Sequence, residues 1–526
     1  MNGDERVAAP NIPVKDGRVA PKGLLIASRV NFDASVHMPV ARELAKLYNT
    51  KVVVVVSKKR TADQWLKWLD NKVEPLLIEP PRSIAKLDAA EVFRKAAVIE
   101  REYACSYLRD ILHQDKSIAA HFLQHAPFAP QAARPTADYI SLVHYINGLF
   151  DVLPGVFERN EIDLCLTRAS GLVNSVALII ANRRGSALSW LNHTREGNRL
   201  QWMDGVYHAS GMLRAVMDFN SAQETGFDVQ KALEPPPDTV SARRRAGGHG
   251  SYSRLCRQLY AIARGRLLDR AYDLLHRSWP GRQTWLAQTR NALCEFRAAR
   301  TLLRLSQRKP GGGEDRPFVL FLLHLDPEYT SSTLCKQFNH IHAIIQQVAL
   351  SLPVGWDLVV KEHVVGIGNR APSFYTDLAH LPNLRFAPHT IPATQLLAQA
   401  RGAATAWGTI CIEAALMGKP VVTFACFNEY EVLPNIFACP EPTAIPDVLR
   451  EAFADRSEQE VATWIEKAQR FKSAQRYLSF ELPSLALDEF GNKNRFDDSG
   501  MAADLLSNAT GKLIDVYEFQ RNQAKK

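Results

Sequence analysis

Phe318-Val319-Leu320-Phe321-Leu322-Leu323-His324-Leu325 is an apolar run that takes in a histidine near its end and gives way to Asp326-Pro327-Glu328. Its composition predicts a strand buried on both faces, and its polar end predicts a site beyond the strand's carboxyl terminus. The pattern repeats downstream. Ser331 to Leu350 reads as a helix, and Trp356 to Lys361 as a strand leading into Lys361-Glu362-His363. Leu384 to Phe386 and Ala403 to Ala406 follow as strands. Then come Trp407-Gly408-Thr409, a helix over Ile410 to Met417 and a strand over Val421 to Phe424. Strands alternating with helices predict a parallel α/β sheet.

The amino-terminal half carries a second such region, from about 20 to 215. Gly23 to Ala27, Val52 to Val56, Leu76 to Ile78, Ile162 to Leu166 and Ala187 to Leu191 read as strands. A helix from Ala34 to Tyr48 places Val36, Val40, Leu44 and Leu47 on one face, and a long helical section covers about 88 to 160. Pro235-Pro236-Pro237, Gly247-Gly248-His249-Gly250 and Lys309-Pro310-Gly311-Gly312-Gly313 read as linkers. The expected architecture is two doubly wound, Rossmann-like α/β domains joined by a basic helical connector. The expected boundaries are 1–220, a linker with basic helices over 221–315, a second domain over 316–455, and a polar helical tail over 456–526 that packs back on the domains.

With 526 residues, 46% of them apolar and 23% charged, the chain is long enough for large cores, and its composition excludes collagen-like, mainly disordered and small disulfide-stapled classes. No strictly apolar run approaches the roughly 20 residues of a spanning helix, and Met1 to Arg6 is polar. A cytoplasmic protein is expected. Eight scattered cysteines, none two residues apart from another, predict buried reduced thiols.

The net charge is +9, and it is concentrated. Arg243 to Lys309 holds 16 basic residues against Asp269, Asp273 and Glu295. Leucines at helical spacing and Tyr252, Trp279, Trp285 and Phe296 interleave with the arginines. A basic helix with interfacial aromatics suits an anionic membrane surface; a solvated connector is the plainer alternative. No nucleic-acid module accompanies the patch, so no nucleic-acid partner is expected.

Three clusters carry chemistry. Trp407-Gly408-Thr409 combines a tight turn with a helix start whose N–H groups suit an anion, and Glu413 falls one turn later on the same face. That arrangement suits phosphate and ribose; an ordinary capped helix is the alternative. Lys361-Glu362-His363, followed by a loop holding Gly366, Gly368 and Arg370, can hold a phosphate or leaving-group oxygen. His324, Asp326 and Glu328 set a histidine and two carboxylates at a strand end, where either acid can act as base or nucleophile or bind hydroxyls. Thr330 to Ser332 capping a helix beside exposed acids is the alternative there. His324, Asp326, His363 and His389 are metal-ligand types, but they lie on three separate strands with no short ligand pair, so no metal site is expected.

Leu323-His324-x-x-Pro327-Glu328, Lys361-Glu362-His363, Phe374-Tyr375, Leu381-Pro382-Asn383, Gly408-Thr409-x-x-x-Glu413-Ala414 and Gly418-Lys419-Pro420 together resemble the bacterial capsule polysaccharide biosynthesis proteins. That family has a glycosyltransferase-B type fold and includes Kdo (3-deoxy-manno-octulosonate) transferases. The resemblance covers about 316 to 440, and more weakly 160 to 215, through Thr194-Arg195, Arg199 and Trp202-x-Asp204. It implies a transferase that moves a sugar from a CMP-Kdo-like or UDP-sugar donor to a surface glycan or lipid-linked acceptor, with no cofactor beyond the nucleotide sugar. Under it, Lys361, His363, Gly408, Thr409 and Glu413 hold the donor. Asp326, Glu328 and His324 sit at the reacting carbon, and Arg195 and Asp204 on the substrate side. The family's second motif commonly has proline after its histidine, where this chain has Val364. A nucleotide-sugar epimerase or hydrolase, or a non-catalytic glycan-binding or export protein, is the alternative.

Overall fold

The computed structural model describes residues 18–27, 31–57, 59–70, 72–115, 118, 137–167, 170–194, 196, 199–205, 210–219, 250–273, 285–307, 316–325, 333–335, 337–338, 340–363, 366–367, 370–425, 429–481 and 503–524. Arg195, Asp326 and Glu328 lie outside them, as do the three linker stretches except Gly250.

The amino-terminal domain runs β1 (Gly23–Ala27), α1 (Asn31–Leu47), β2 (Lys51–Val56), α2 (Lys59–Trp68), β3 (Val73–Leu77) and α3 (Ala89–Tyr103). A π-helical turn (Tyr107–Leu112) follows, then α4 (Tyr139–Arg159), β4 (Ile162–Thr167), α5 (Leu172–Arg184), β5 (Ala187–His193), β6 (Arg199–Met203) and α6 (Gly211–Phe219). The basic stretch supplies α7 (Tyr252–Asp273) and α8 (Trp285–Ser306).

The second domain comprises β7 (Phe318–Leu322), α9 (Ile341–Ser351), β8 (Asp357–Lys361), α10 (Pro372–Leu378), β9 (Leu384–Phe386), α11 (Ala393–Gln399) and β10 (Gly402–Thr405). It continues through α12 (Ile410–Leu416), β11 (Val421–Thr423), β12 (Ile436–Ala438) and α13 (Ile445–Ala452). The chain ends with α14 (Glu458–Leu478), β13 (Ser479–Glu481) and α15 (Ala503–Gln523).

The first sheet is ordered β13-β6-β5-β4-β1-β2-β3, the second β12-β11-β10-β7-β8-β9. Every pair in the second is parallel, so all its strands end on one edge. The chain walks outward from β7 through β8 to β9, then returns across β7 and walks outward through β10, β11 and β12. The reversal opens a crevice between the ends of β7 and β10, where doubly wound sheets bind ligands. The first sheet reverses in the same way between β1 and β4. Two Rossmann-like α/β domains are present.

Local chemistry explains most elements. Val52, Val53, Val54 and Val56 of β2 are buried because β1 and β3 flank the strand and helices cover it. Pro75 sits in β3, at the sheet edge, where a missing N–H is tolerated. α14 starts with a capping box between Ser457 and Glu460.

Several expectations are corrected. The helix expected from Ser331 begins only at Ile341, with a short π-type turn at Thr333 and Leu334 before it. The tail is not all helix: β13 pairs antiparallel with β6, adding the chain's end to the first sheet. α15 then buries Leu513, Ile514 and Tyr517 against that domain. α6 inserts Leu213 and Met217 into the core of the second domain. α4 is a helix of membrane-spanning length and apolarity, a stretch the strictly apolar runs did not reveal, but Leu142, Ile146, Phe150 and Leu153 fix one face in the core. Among the described cysteines, Cys256 is exposed, while Cys165, Cys335, Cys411 and Cys439 are buried.

Candidate functional site

His324 stands two residues past β7, Glu362 and His363 directly follow β8, and Trp407-Gly408-Thr409 follow β10. Adjacency of β8, β7 and β10 therefore gathers the motif loops on one edge of the sheet.

A buried carboxylate organises them. Glu362 is 1% exposed. Its Oε1 accepts from the His363 backbone N–H at 2.8 Å and from Arg370 at 2.8 Å, and its Oε2 accepts from the Tyr375 hydroxyl at 2.7 Å. Burial, and next the Glu362 charge, push the Tyr375 phenol well above its usual range, so it stays a donor. Arg370 uses its other arm to donate to the His324 carbonyl at 2.7 Å. One guanidinium thus ties the β7 loop to the β8 loop. A Cβ on Gly366 would lie 3.0 Å from Glu362 Oε1, so the loop's small residue lets the backbone close over the carboxylate.

His324 bridges to the other side of the crevice. Its Nε2 lies 2.9 Å from Thr405 Oγ1, and the Trp407 backbone N–H donates to the same nitrogen at 3.3 Å. A backbone N–H only donates, so Nε2 is an acceptor and the ring is neutral with its proton on Nδ1. Burial first, then His363 and Arg370, depress its pKa to about 3. The geometry fits a group that positions the turn better than one that carries protons at neutral pH.

Gly408 has φ +146°, and a Cβ there would approach His324 Cε1 to 3.3 Å. The turn thus packs on the imidazole face at a conformation L-residues avoid. Thr409 is itself helical and makes no side-chain cap, and the helix it opens spans only seven residues, Ile410–Leu416. Among the described residues, the N–H groups of Gly408 and Thr409 take no backbone partner. Glu413 lies one turn later, half-buried, with its N–H bonded to the Thr409 carbonyl.

The other candidates divide. His363 is exposed at the crevice. Lys361 is buried, and its Nζ donates to the His389 carbonyl at 3.3 Å, tying β8 to the loop after β9. Asp204 is buried at the start of α6, where its Oδ2 accepts from the Met212 N–H at 2.9 Å.

The crevice borders the other domain. The Trp407 ring lies 5.9 Å from Tyr430, and the neighbouring Glu429 accepts from Asn192 of β5 at 3.0 Å. From α14, Lys472 donates to the Thr194 carbonyl at 3.3 Å and lies 3.8 Å from Glu196, which also pairs with Arg476. Burial lowers the Lys472 pKa, partly offset by Glu196 and Glu429. Asn192, Glu429 and Lys472 escaped the sequence reading; their role depends on partners more than 200 positions away, and no local pattern encodes that.

No family model matches the chain, and no curated protein does. Among solved structures, the UDP-GlcNAc 2-epimerase from Neisseria meningitidis bound to UDP-GlcNAc matches at 13% identity and TM-score 0.26, over 86% of this chain and 97% of that one. The glycotransferase of kitacinnamycin matches at 13% and 0.26, over 87% and 97%. KpsC, the beta Kdo 2,7 transferase of Thermosulfurimonas dismutans, matches at 11% and 0.31, over 69% and 88%. The architecture rests on the two sheet orders.

Proposed function

We propose that this protein is a glycosyltransferase that takes a sugar from a nucleotide donor and passes it to a surface glycan or its lipid-linked acceptor. The observation that carries the reading is the convergence of His363 and the Gly408-Thr409 turn on one sheet edge beside the domain interface, both braced through His324 and Glu362. In this reading His363, the open N–H groups of the turn and the Thr409 hydroxyl hold the donor's phosphate oxygens. Such donors, fixed before charge develops on the leaving group, lower the barrier. Glu413 accepts from the ribose hydroxyls. Asp326 or Glu328, just past His324 in sequence, acts at the reacting carbon, with the first domain presenting the acceptor through the β5 side. Arg195 and Asp204 belong to that side, and Lys361 supports the donor loop from below.

Release of the leaving nucleotide without a metal is part of the proposal, and unchanged turnover in a chelator tests it. A cytoplasmic location, with the α7–α8 hairpin resting on an anionic membrane, completes the reading. α8 buries Ala298, Ala299 and Leu302, leaving Tyr260, Arg257 and Arg264 of α7 exposed. Co-sedimentation with anionic vesicles, lost on Arg257→Glu/Arg264→Glu, tests that contact.

The deciding experiment incubates the full chain with CMP-Kdo and with UDP-sugars, with and without oligosaccharide acceptors. Nucleotide release that requires acceptor supports the transferase. Donor hydrolysis or epimerisation without acceptor assigns the epimerase or hydrolase reading instead. No turnover and no thermal stabilisation by any nucleotide leaves the non-catalytic reading.

A further inference from the structure

The Gly418-Lys419-Pro420 turn takes no part in the crevice just described. It precedes β11, at the opposite, amino-terminal edge of the second sheet, beside Arg401, which precedes β10. A cavity of about 350 Å³ opens there, between these loops and the α13–α14 junction, lined among others by Arg401, Lys419, Arg456, Phe453 and Trp464. That is within the range of small-molecule sites, roughly 300–1,000 Å³.

Its charge is lopsided. Three cations line it against one carboxylate, Asp455, whose side chain is fully exposed and reaches Arg401 at 3.3 Å. Such a pair contributes little in water. Lys419 is half-buried and donates to the Ala400 carbonyl at 2.5 Å, with no carboxylate in ion-pair reach among the described residues. An ammonium has three donors, so this bond leaves two unused. Arg456 is held over the rings of Phe437 and Trp464, at 5.4 Å and 5.8 Å, pairs with Glu460 at 3.7 Å and donates to the Glu451 carbonyl at 2.6 Å, so Lys419 is the cation left without a carboxylate. Burial first, then the neighbouring Arg401, lower the Lys419 pKa.

The walls are built tightly. Gly418 has φ +65°, and a Cβ there would lie 2.5 Å from Val461 Cγ1 of α14. A Cβ on Gly402 would lie 2.4 Å from the Pro420 carbonyl and 2.8 Å from Phe453. The two glycines let the loops press against α14 and Phe453.

We propose that this cavity is a second binding site, for a small organic phosphate of about the size of a monosaccharide phosphate. Lys419 and Arg401 take the phosphate, with Arg456 beside them, and the sugar lies along the half-buried Phe453. A phosphate dianion matches several cations better than a single carboxylate does. The site is independent of the nucleotide reading, because it occupies the other edge of the sheet.

Isothermal titration of the full chain with glucose 1-phosphate, inorganic phosphate and glucose tests it. We expect saturable binding of glucose 1-phosphate, weaker binding of phosphate and none of glucose. Lys419→Met should weaken glucose 1-phosphate at least tenfold. Asp455→Asn, a fully exposed change that cannot unfold the chain, should tighten it several-fold. His363→Ala, and excess UDP or CMP, should leave it unchanged. No saturable binding, equal affinity in Lys419→Met and Asp455→Asn, or displacement by UDP or CMP overturns the proposal.

Discussion

The backbone N–H of Trp407 points at Nε2 of His324, 3.3 Å away, although the two residues are 83 positions apart and follow different strands. One imidazole thereby fixes the conformation of the turn that faces the crevice, and it does so only while neutral.

A pH dependence follows. The unfolded chain protonates a histidine near pH 6.5, whereas folded His324 resists until about 3. The unfolded state thus binds the extra proton in between. The stability owed to the neutral ring is complete above about pH 6.5 and declines toward pH 3, by up to about 1.4 kcal/mol per pH unit. Urea unfolding of wild type and His324→Gln at pH 7.5, 6 and 5 checks this. The wild-type advantage should shrink as pH falls; a constant difference refutes the assignment.

Gly408→Ala forces a Cβ into a positive-φ position and against His324. Strain of about 1–3 kcal/mol is expected. Calorimetry should show nucleotide affinity falling at least tenfold, with a lowered melting temperature.

Arg370→Met strands the Glu362 carboxylate in the interior, losing both the ion pair and the tie to the His324 carbonyl. A loss of about 3–5 kcal/mol is expected in chemical denaturation. Adding Glu362→Gln should recover part of it, since the neutral amide can still accept from Tyr375 and leaves no buried charge without a partner.

His363→Asn tests the reaction rather than the fold. The side chain is exposed, so the melting temperature should hardly move. If it stabilises the leaving phosphate, kcat should drop about 10²–10³-fold, the usual effect of removing one such donor. A fall in stability with unaltered turnover would assign it a structural role.

The strands were legible because burial on both faces writes itself locally as short apolar runs, and the candidate loops because polar residues cluster where those runs stop. Val52 to Val56 and Phe318 to Leu322 needed no tertiary information. The helix predicted from Ser331 failed because residue preference over ten positions does not fix where the chain turns; packing set its start at Ile341. β13 was invisible because Ser479-Phe480-Glu481 is too short for a period and owes its form to β6.

The alternation of apolar and polar residues by itself determined two α/β domains, the strands within them and the loops at their carboxyl ends, since those depend on neighbours in sequence. Which loops meet was decided only by the tertiary structure. The crossover from β9 back past β7 brings Trp407 to His324 and leaves Lys419 on the far edge. Pairing of Asn192 with Glu429 joins residues 237 positions apart. Such contacts follow from strand order and domain docking, which emerge from the summed burial of many side chains, and no single stretch of sequence records them.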